Sequence, residues 1–110
     1  MITIFRSKAS GDVIMFGDVA EKMMTIMGKA AEAKGIVTVE QLPGAISLLQ
    51  AAIDADKAAR QGVAPEDLPQ FETAPDGSRR PYISLTQRAT PLLELLNWSL
   101  KKKVPVTWGV

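Results

Sequence analysis

The chain has 110 residues, of which 46% are hydrophobic and 23% are charged, and this balance predicts one domain over residues 1–110 with a single core. It contains no Cys and no His, which excludes disulfide frameworks, thiol nucleophiles, zinc fingers and every mechanism that needs an imidazole. We therefore expect no catalytic residue of these kinds, no metal and no cofactor.

Charge and hydropathy limit the classes of partner. Thirteen Lys and Arg against twelve Asp and Glu leave a net charge of +1, which does not predict binding to nucleic acid. The first residues lack the apolar region of a secretory signal, and no apolar run approaches the roughly twenty residues that cross a bilayer. We expect a cytoplasmic protein that does not bind membranes.

The first predicted elements are a β-hairpin and a short helix. Residues 2–7 and 12–16 are β-branched and partly alternating, with a polar turn between them. A helix follows over residues 19–27, with Asp18 as its expected N-cap and Gly28 as a left-handed stop.

The middle of the chain predicts a short strand and a longer helix. Residues 36–39 are β-branched and favour a small strand or an extended connector. Pro43 suits the first turn of a helix over 42–60, whose apolar stripe becomes thin beyond Ile53. We expect its last two turns to project from the body or to pack against something close.

Residues 61–81 contain four of the seven prolines and two glycines, so we interpret this segment as a proline-rich mobile linker. Ser84 then begins the last helix through a capping box with Gln87. Pro91 lies one turn inside this helix, where it should cause a kink or a restart with Thr90 as the cap.

The chain ends in an alternating segment over residues 104–108, in which Pro105 favours a sheet edge or a strand start. The fold prediction is α+β. A small, mostly antiparallel sheet, formed by the N-terminal hairpin and this C-terminal strand, is covered on one face by three helices. The last helix should bury its leucines against four strand residues, namely Ile2, Ile4, Val104 and Val106.

Arg88 lies at the border of the apolar face of the last helix, so its charge needs a partner. One interpretation is an ion pair with a carboxylate such as Asp12 or Asp18, or hydrogen bonds to carbonyls at a strand end. The other is an anion site that Arg88 forms with Arg79 and Arg80.

Trp98 lies off the main apolar line of the last helix, so it covers the rim of the sheet or is exposed as an anchor for another subunit. Met15, Met23, Met24 and Met27 could fill the core, form an adaptable partner surface or hold a soft cation such as Cu(I). The helical spacing of Met23 and Met27 favours the core.

Six blocks of the chain form one pattern: FRSKA (5–9), GDVIM (11–15), KGI (34–36), PGAI (43–46), SLTQRATPL (84–92) and VTWGV (106–110). The pattern resembles a bacterial family catalogued as domain of unknown function number eighteen-forty. The resemblance covers nearly the whole chain except the 61–81 segment. It implies a small intracellular bacterial protein and brings no activity, cofactor or catalytic residue.

Three functions stay open. The favoured one is a non-enzymatic interaction module, which forms a homo-oligomer or binds another protein. The second is a small-molecule or anion binder that uses the kinked last helix and Arg88. The third, an enzyme with carboxylate or Lys catalysis, is disfavoured because no carboxylates are paired in the sequence pattern.

Overall fold

The computed structural model describes the backbone of residues 1–110 and every side chain except that of Pro65. Three helices and two antiparallel sheets confirm the predicted α+β class. The elements in chain order are β1 (Ile2–Ser7), β2 (Ser10–Phe16), α1 (Gly17–Ile26), β3 (Gly35–Val37), α2 (Leu42–Arg60), β4 (Phe71–Thr73), β5 (Arg79–Pro81), α3 (Leu85–Lys102) and β6 (Val106–Trp108).

The main sheet has the strand order β2-β1-β6-β3, and every neighbouring pair is antiparallel. The predicted hairpin and C-terminal strand are therefore confirmed, and they lie side by side. Of the two alternatives for Pro105, the sheet edge is wrong, because β6 is an interior strand, and the strand start is confirmed. Pro105 instead precedes the first paired residue, Val106, where a missing N–H removes no ladder hydrogen bond.

The helices cover one face of this sheet. α3 packs on β1, β2 and β6, α1 packs on β1 and β2, and α2 packs chiefly against α3. Phe5 and Trp108 face the helices and are fully buried, with ring centroids 5.7 Å apart. The four methionines singled out above are buried in the same core, which confirms their packing role.

The expectation that Ile2 and Ile4 join this core is wrong. Side chains alternate between the two faces of a strand, so a buried Phe5 places Ile2 and Ile4 on the face away from the helices. Val106 is buried as expected, and Val104 lies outside the strand and is half-buried.

The two ends of α1 differ in how well the sequence predicts them. Asp18 does not cap the helix, because the N-cap position is Phe16 and no side chain bonds to the helix start there. The stop at Gly28 is confirmed. Gly28 has a φ of 81°, and its N–H donates to the Thr25 carbonyl at 3.0 Å, while Lys29 N–H donates to the Met24 carbonyl at 2.8 Å.

The start of α3 receives two caps. The predicted box is confirmed, since Ser84 Oγ accepts from Gln87 N–H and Gln87 Oε1 accepts from Ser84 N–H, each at 3.2 Å. In addition, Asp56 of α2 accepts from the N–H of Thr86 at 3.1 Å and from its hydroxyl at 2.6 Å. The polar second half of α2 therefore packs against α3, and Arg60 completes the contact by bonding Asp56 at 3.2 Å.

α3 continues without interruption through Pro91, so the expected restart is wrong. Thr90 does not act as a cap, because its hydroxyl donates to the carbonyl of Thr86 at 2.6 Å within the helix.

Residues 61–81, interpreted above as a proline-rich mobile linker, contain regular structure, and their mobility stays a prediction. This segment contains a short 3-10 turn at Pro65–Asp67 and the antiparallel β4–β5 hairpin. Glu72 pairs with Arg80 across the hairpin, so the two charges share one face. A pattern of single charges and prolines gives no hydrophobic periodicity from which this hairpin could be predicted.

Because α3 lies deep in the core, truncating one of its buried side chains should lower the free energy of unfolding strongly. Leu92 has no exposed surface, so Leu92→Ala should lower the free energy of unfolding by about 2–5 kcal/mol through lost burial and a residual cavity. Leu48, which is 49% exposed on α2, is the matched control, and Leu48→Ala should change stability by about 0.5 kcal/mol or less. Urea denaturation measures both, and equal effects would contradict this packing.

Candidate interaction surface

The face of the sheet that the helices do not cover carries four isoleucines, Ile2, Ile4, Ile14 and Ile36, which we call the isoleucine face. Ile2 and Ile14 are 60% and 62% exposed, and Ile36 is 42% exposed. Single exposed apolar residues are common on proteins, but four large ones on one sheet face form a patch. Such patches mark interaction sites more often than ordinary surface does.

Charges accompany this apolar patch at one end. Arg6 and Asp12 lie on neighbouring strands beside the isoleucine face, with Nε and Oδ2 3.6 Å apart and about half of each side chain exposed, 52% and 50%. A pair this exposed contributes little to the stability of the fold. Both groups are therefore available to a partner.

A groove of about 500 Å³ adjoins the isoleucine face along β2. One wall consists of the consecutive β2 residues 12–16, and the other includes Gln87, Arg88 and Pro91 of α3. Since β2 is the terminal strand of the sheet, this groove follows a free strand edge.

A cluster of ion pairs with the β4–β5 hairpin lies beside the part of the groove that Phe16 and Arg88 line. Arg80 bonds both carboxylate oxygens of Asp18, at 2.6 and 3.2 Å, and reaches Glu72 at 3.3 Å. Arg88 bonds the other oxygen of Glu72 at 2.8 Å. The Phe16 ring lies 4.7 Å from the Arg80 guanidinium and 5.9 Å from that of Arg88, so cation–π contacts add to the cluster.

These contacts shift the ionisation of the carboxylates. The hydrogen bond from Arg80 holds the pKa of Asp18 below its usual value, against the opposing effect of burial. The bond from Arg88 likewise lowers the pKa of Glu72, and the bond to Asp18 raises the pKa of Arg80. Each of these three shifts favours the charged form, and the ion pairs attach the hairpin to α1 through Asp18 and to α3 through Arg88.

A family model described as "Domain of unknown function (DUF1840)" matches residues 1–108. The chain belongs to the DUF1840 family. No match was found among curated proteins or among solved structures.

In this DUF1840 chain, Arg88 does pair with a carboxylate, but the partner is Glu72 rather than Asp12 or Asp18. The structure brings Arg80 into the same cluster. It does not bring Arg79, whose guanidinium lies 4.5 Å from the Phe71 ring on the opposite face of the hairpin. The anion-binding hypothesis stays a prediction, and two of its three donors already bind carboxylates.

Trp98 is 47% exposed on α3, and its ring accepts a cation–π contact from the ammonium of Lys101, whose Nζ is 5.1 Å from the ring centroid.

Among the described side chains, no group of three or more Asp or Glu residues is arranged to hold a metal ion. None of the helices in the described structure is both long and apolar enough to cross a membrane.

Sequence reasoning missed three parts of this surface. The isoleucine face was missed because Ile2 and Ile4 were assigned to the core, and the adjacent apolar residues Ile4 and Phe5 do not show which face of β1 the helices cover. The free edge of β2 depends on strand order. Glu72 was missed because it lies in the segment interpreted as a linker. It lies close to Arg80 and Arg88 only because this segment folds into a hairpin.

The ion-pair cluster predicts a loss of stability in acid. In the unfolded chain, Asp and Glu side chains have pKa values of about 3.9 and 4.3. Asp18 and Glu72 have lower pKa values in the folded protein. Their contribution is therefore fully present above about pH 5 and is lost as the pH falls through the folded-state values. Urea denaturation between about pH 2.5 and 7 measures this loss.

Asp18→Asn is the control for this prediction, because it removes the charge while keeping an oxygen acceptor for Arg80. The variant should be less stable than the parent at pH 7, and the difference should shrink in acid. An unchanged difference across the whole range would contradict the role assigned to Asp18.

Proposed function

We propose that this DUF1840 chain is a small, non-enzymatic protein-interaction module that associates with a second copy of itself through the isoleucine face. The observation that carries the proposal is the row of uncovered isoleucines on the sheet. The bacterial origin and cytoplasmic location expected from the sequence belong to the same proposal. Burial of these side chains against a second apolar surface supplies the driving force.

The charges beside the isoleucine face favour a second copy as the partner. Each copy contributes one cation, Arg6, and one anion, Asp12, to this face. A two-fold axis places the same patch on both subunits, so each residue that contacts another is contacted in return. Arg6 of either copy can then face Asp12 of the other, and the pairing leaves no net charge in the interface.

The size of the face sets the expected strength. β1 and β2 have six and seven residues, whereas β3 and β6 have three each, so strands about 4.8 Å apart with a rise of about 3.3 Å per residue give a projected area of roughly 300 Å² per copy. Standard interfaces bury roughly 800 Å² per partner, so this face lies below the standard size and supports a weak, transient association. We therefore expect a dimer whose dissociation constant is roughly micromolar.

The isoleucine face also contains a depression that suits self-association. Ile2, Ile4 and Arg6 surround a hollow of about 290 Å³ with Gly109 and Val110 on its other side. Ala33 also lines the hollow, and its backbone packs directly against Gly109, where a Cβ would collide with the Ala33 carbonyl. An isoleucine from a second copy can occupy the hollow and increase the area buried.

Sedimentation equilibrium tests the proposal. The parent chain should shift from monomer to dimer as its concentration rises through the micromolar range. Ile36→Glu should weaken the association by about tenfold or more, because it buries two like charges in a symmetric interface. Ile36 lies on β3, so this variant leaves the β2 edge intact.

The matched control is Leu48→Glu, which introduces the same charge at a comparably exposed position on α2. It should leave the dissociation constant unchanged, because α2 lies on the helical side of the molecule. A parent chain that stays monomeric up to about 500 µM, far above the expected micromolar dissociation constant, would overturn the proposal. An equal effect of the two substitutions would place the interface elsewhere.

A further inference from the structure

The two edges of the main sheet are unequal. β3 has three residues at one edge, whereas β2 has seven at the other. Proteins ordinarily protect a sheet edge by shortening the strand, by placing charges or proline on it, or by covering it. β2 carries one charged residue, Asp12, and no proline, and no backbone hydrogen bond to its outer edge occurs in the described structure. This edge is long and open.

The hydrogen-bond register identifies which backbone groups face outward. The N–H of Gly17 donates to the carbonyl of Met1 at 2.9 Å, just beyond the ladder in which Ile2 pairs with Phe16. In an antiparallel ladder, hydrogen-bonded pairs alternate with non-bonded pairs. Val13 and Met15 therefore bond to β1, while the N–H and C=O of Ile14 and the N–H of Phe16 point away from it.

The groove beside this edge has the form of a slot for one strand. α3 supplies the opposite wall through Gln87, Arg88 and Pro91, and the apolar side chains of Val13 and Met15 contribute from the strand. Five consecutive strand residues line it, which corresponds to about 16 Å of extended chain. A peptide in the slot can bond to Ile14 and Phe16 while its alternate side chains contact the helix.

Charge in the slot selects the chemistry of the occupant. Asp12 lines one end of the slot, and its pair with Arg6, which lies outside the slot, is long at 3.6 Å and half-exposed, so the carboxylate stays open to a second cation. Arg88 is only 14% exposed and already bonds Glu72 at 2.8 Å. The available charge is therefore negative, and it complements a Lys or Arg side chain. A second copy of β2 fits poorly, since the segment Ser10–Phe16 would bring another aspartate and no cation.

We propose that the free edge of β2 binds an extended peptide segment of a partner protein by strand addition. Every second residue of the segment is apolar and points toward α3. The residue that lies next to Asp12 is Lys or Arg. Backbone hydrogen bonds supply affinity, and the slot between β2 and α3 supplies the side-chain preference. This site goes beyond the proposed dimer, because its decisive groups are backbone atoms at the sheet edge.

The test begins with a phage-displayed library of random heptapeptides selected on the full chain. Enriched peptides should have apolar residues at alternate positions, contain Lys or Arg, and lack proline at their central positions. Each is then titrated by fluorescence polarisation against the parent, Ile14→Pro and Ile14→Ala. Proline removes the outward N–H of Ile14 without removing a ladder bond to β1, so binding should weaken by about tenfold or more.

Ile14→Ala is the matched control, because it removes the same side chain from the isoleucine face and keeps the N–H. Its affinity for the peptides should stay within about threefold of the parent, since the backbone donor is retained. Repeating the titrations in the Ile36→Glu background separates the two proposals. Peptide binding should persist there whether or not the parent chain forms a dimer.

Amide hydrogen exchange on the parent chain gives a readout that does not depend on how Ile14→Pro folds. On saturation with a selected peptide, exchange at Ile14 and Phe16 should slow by about tenfold or more, while Val13 and Met15 stay protected throughout. Failure of the library to enrich any peptide would overturn the proposal. So would peptide binding without protection at Ile14, or binding that Ile14→Pro and Ile14→Ala retain equally.

Discussion

The packing of α3 between the main sheet and α2 is the contact on which the rest of the structure depends. Ala89, Leu92 and Leu96 have no exposed surface, and the helix touches three strands as well as α2. Its first turn is held by Ser84 from its own chain segment and by Asp56 from α2. The carboxylate also faces the positive end of the helix dipole, so one contact positions two helices.

Because all three helices lie on the same side, the sheet has two faces in different surroundings. The inner face buries Phe5 and Trp108, while the outer face leaves Ile2 and Ile14 in solvent. The strand order β2-β1-β6-β3 makes β2 an edge strand, and α3 lies beside it across the groove. A folded domain with an apolar outer face and an open edge supports a role in association, and this is why we propose two binding modes on adjoining surfaces.

The β4–β5 hairpin shows a different principle of attachment. Its charged face points toward the body, where Arg80 binds Asp18, and its Phe71 is half-exposed on the other side. Ion pairs rather than apolar burial therefore supply the contacts described between the hairpin and α1 or α3. Hydrophobic periodicity does not report such a contact. For this reason the sequence predicts a linker over residues 61–81.

Local chemistry was predictable from the sequence. The capping box at Ser84, the left-handed stop at Gly28 and the methionine contribution to the core each depend on residues within a few positions of one another. The absence of Cys and His from the composition by itself excludes thiol and imidazole chemistry, whatever fold the chain adopts. In contrast, local rules favour Asp18 as a cap, but the helix begins at Gly17, and the Asp18 carboxylate bonds the distant Arg80 instead.

The tertiary structure decided the features that depend on residues far apart in the chain. Asp18 and Arg80 are 62 positions apart, and the pairing of β1 with β6 joins the two ends of the chain. Alternation along β1 divides Ile2 and Ile4 from Phe5, but the placement of the helices determined which of the two faces is buried. Caps and periodicity are properties of a few neighbouring residues, whereas strand order and charge pairing require the whole chain to be folded.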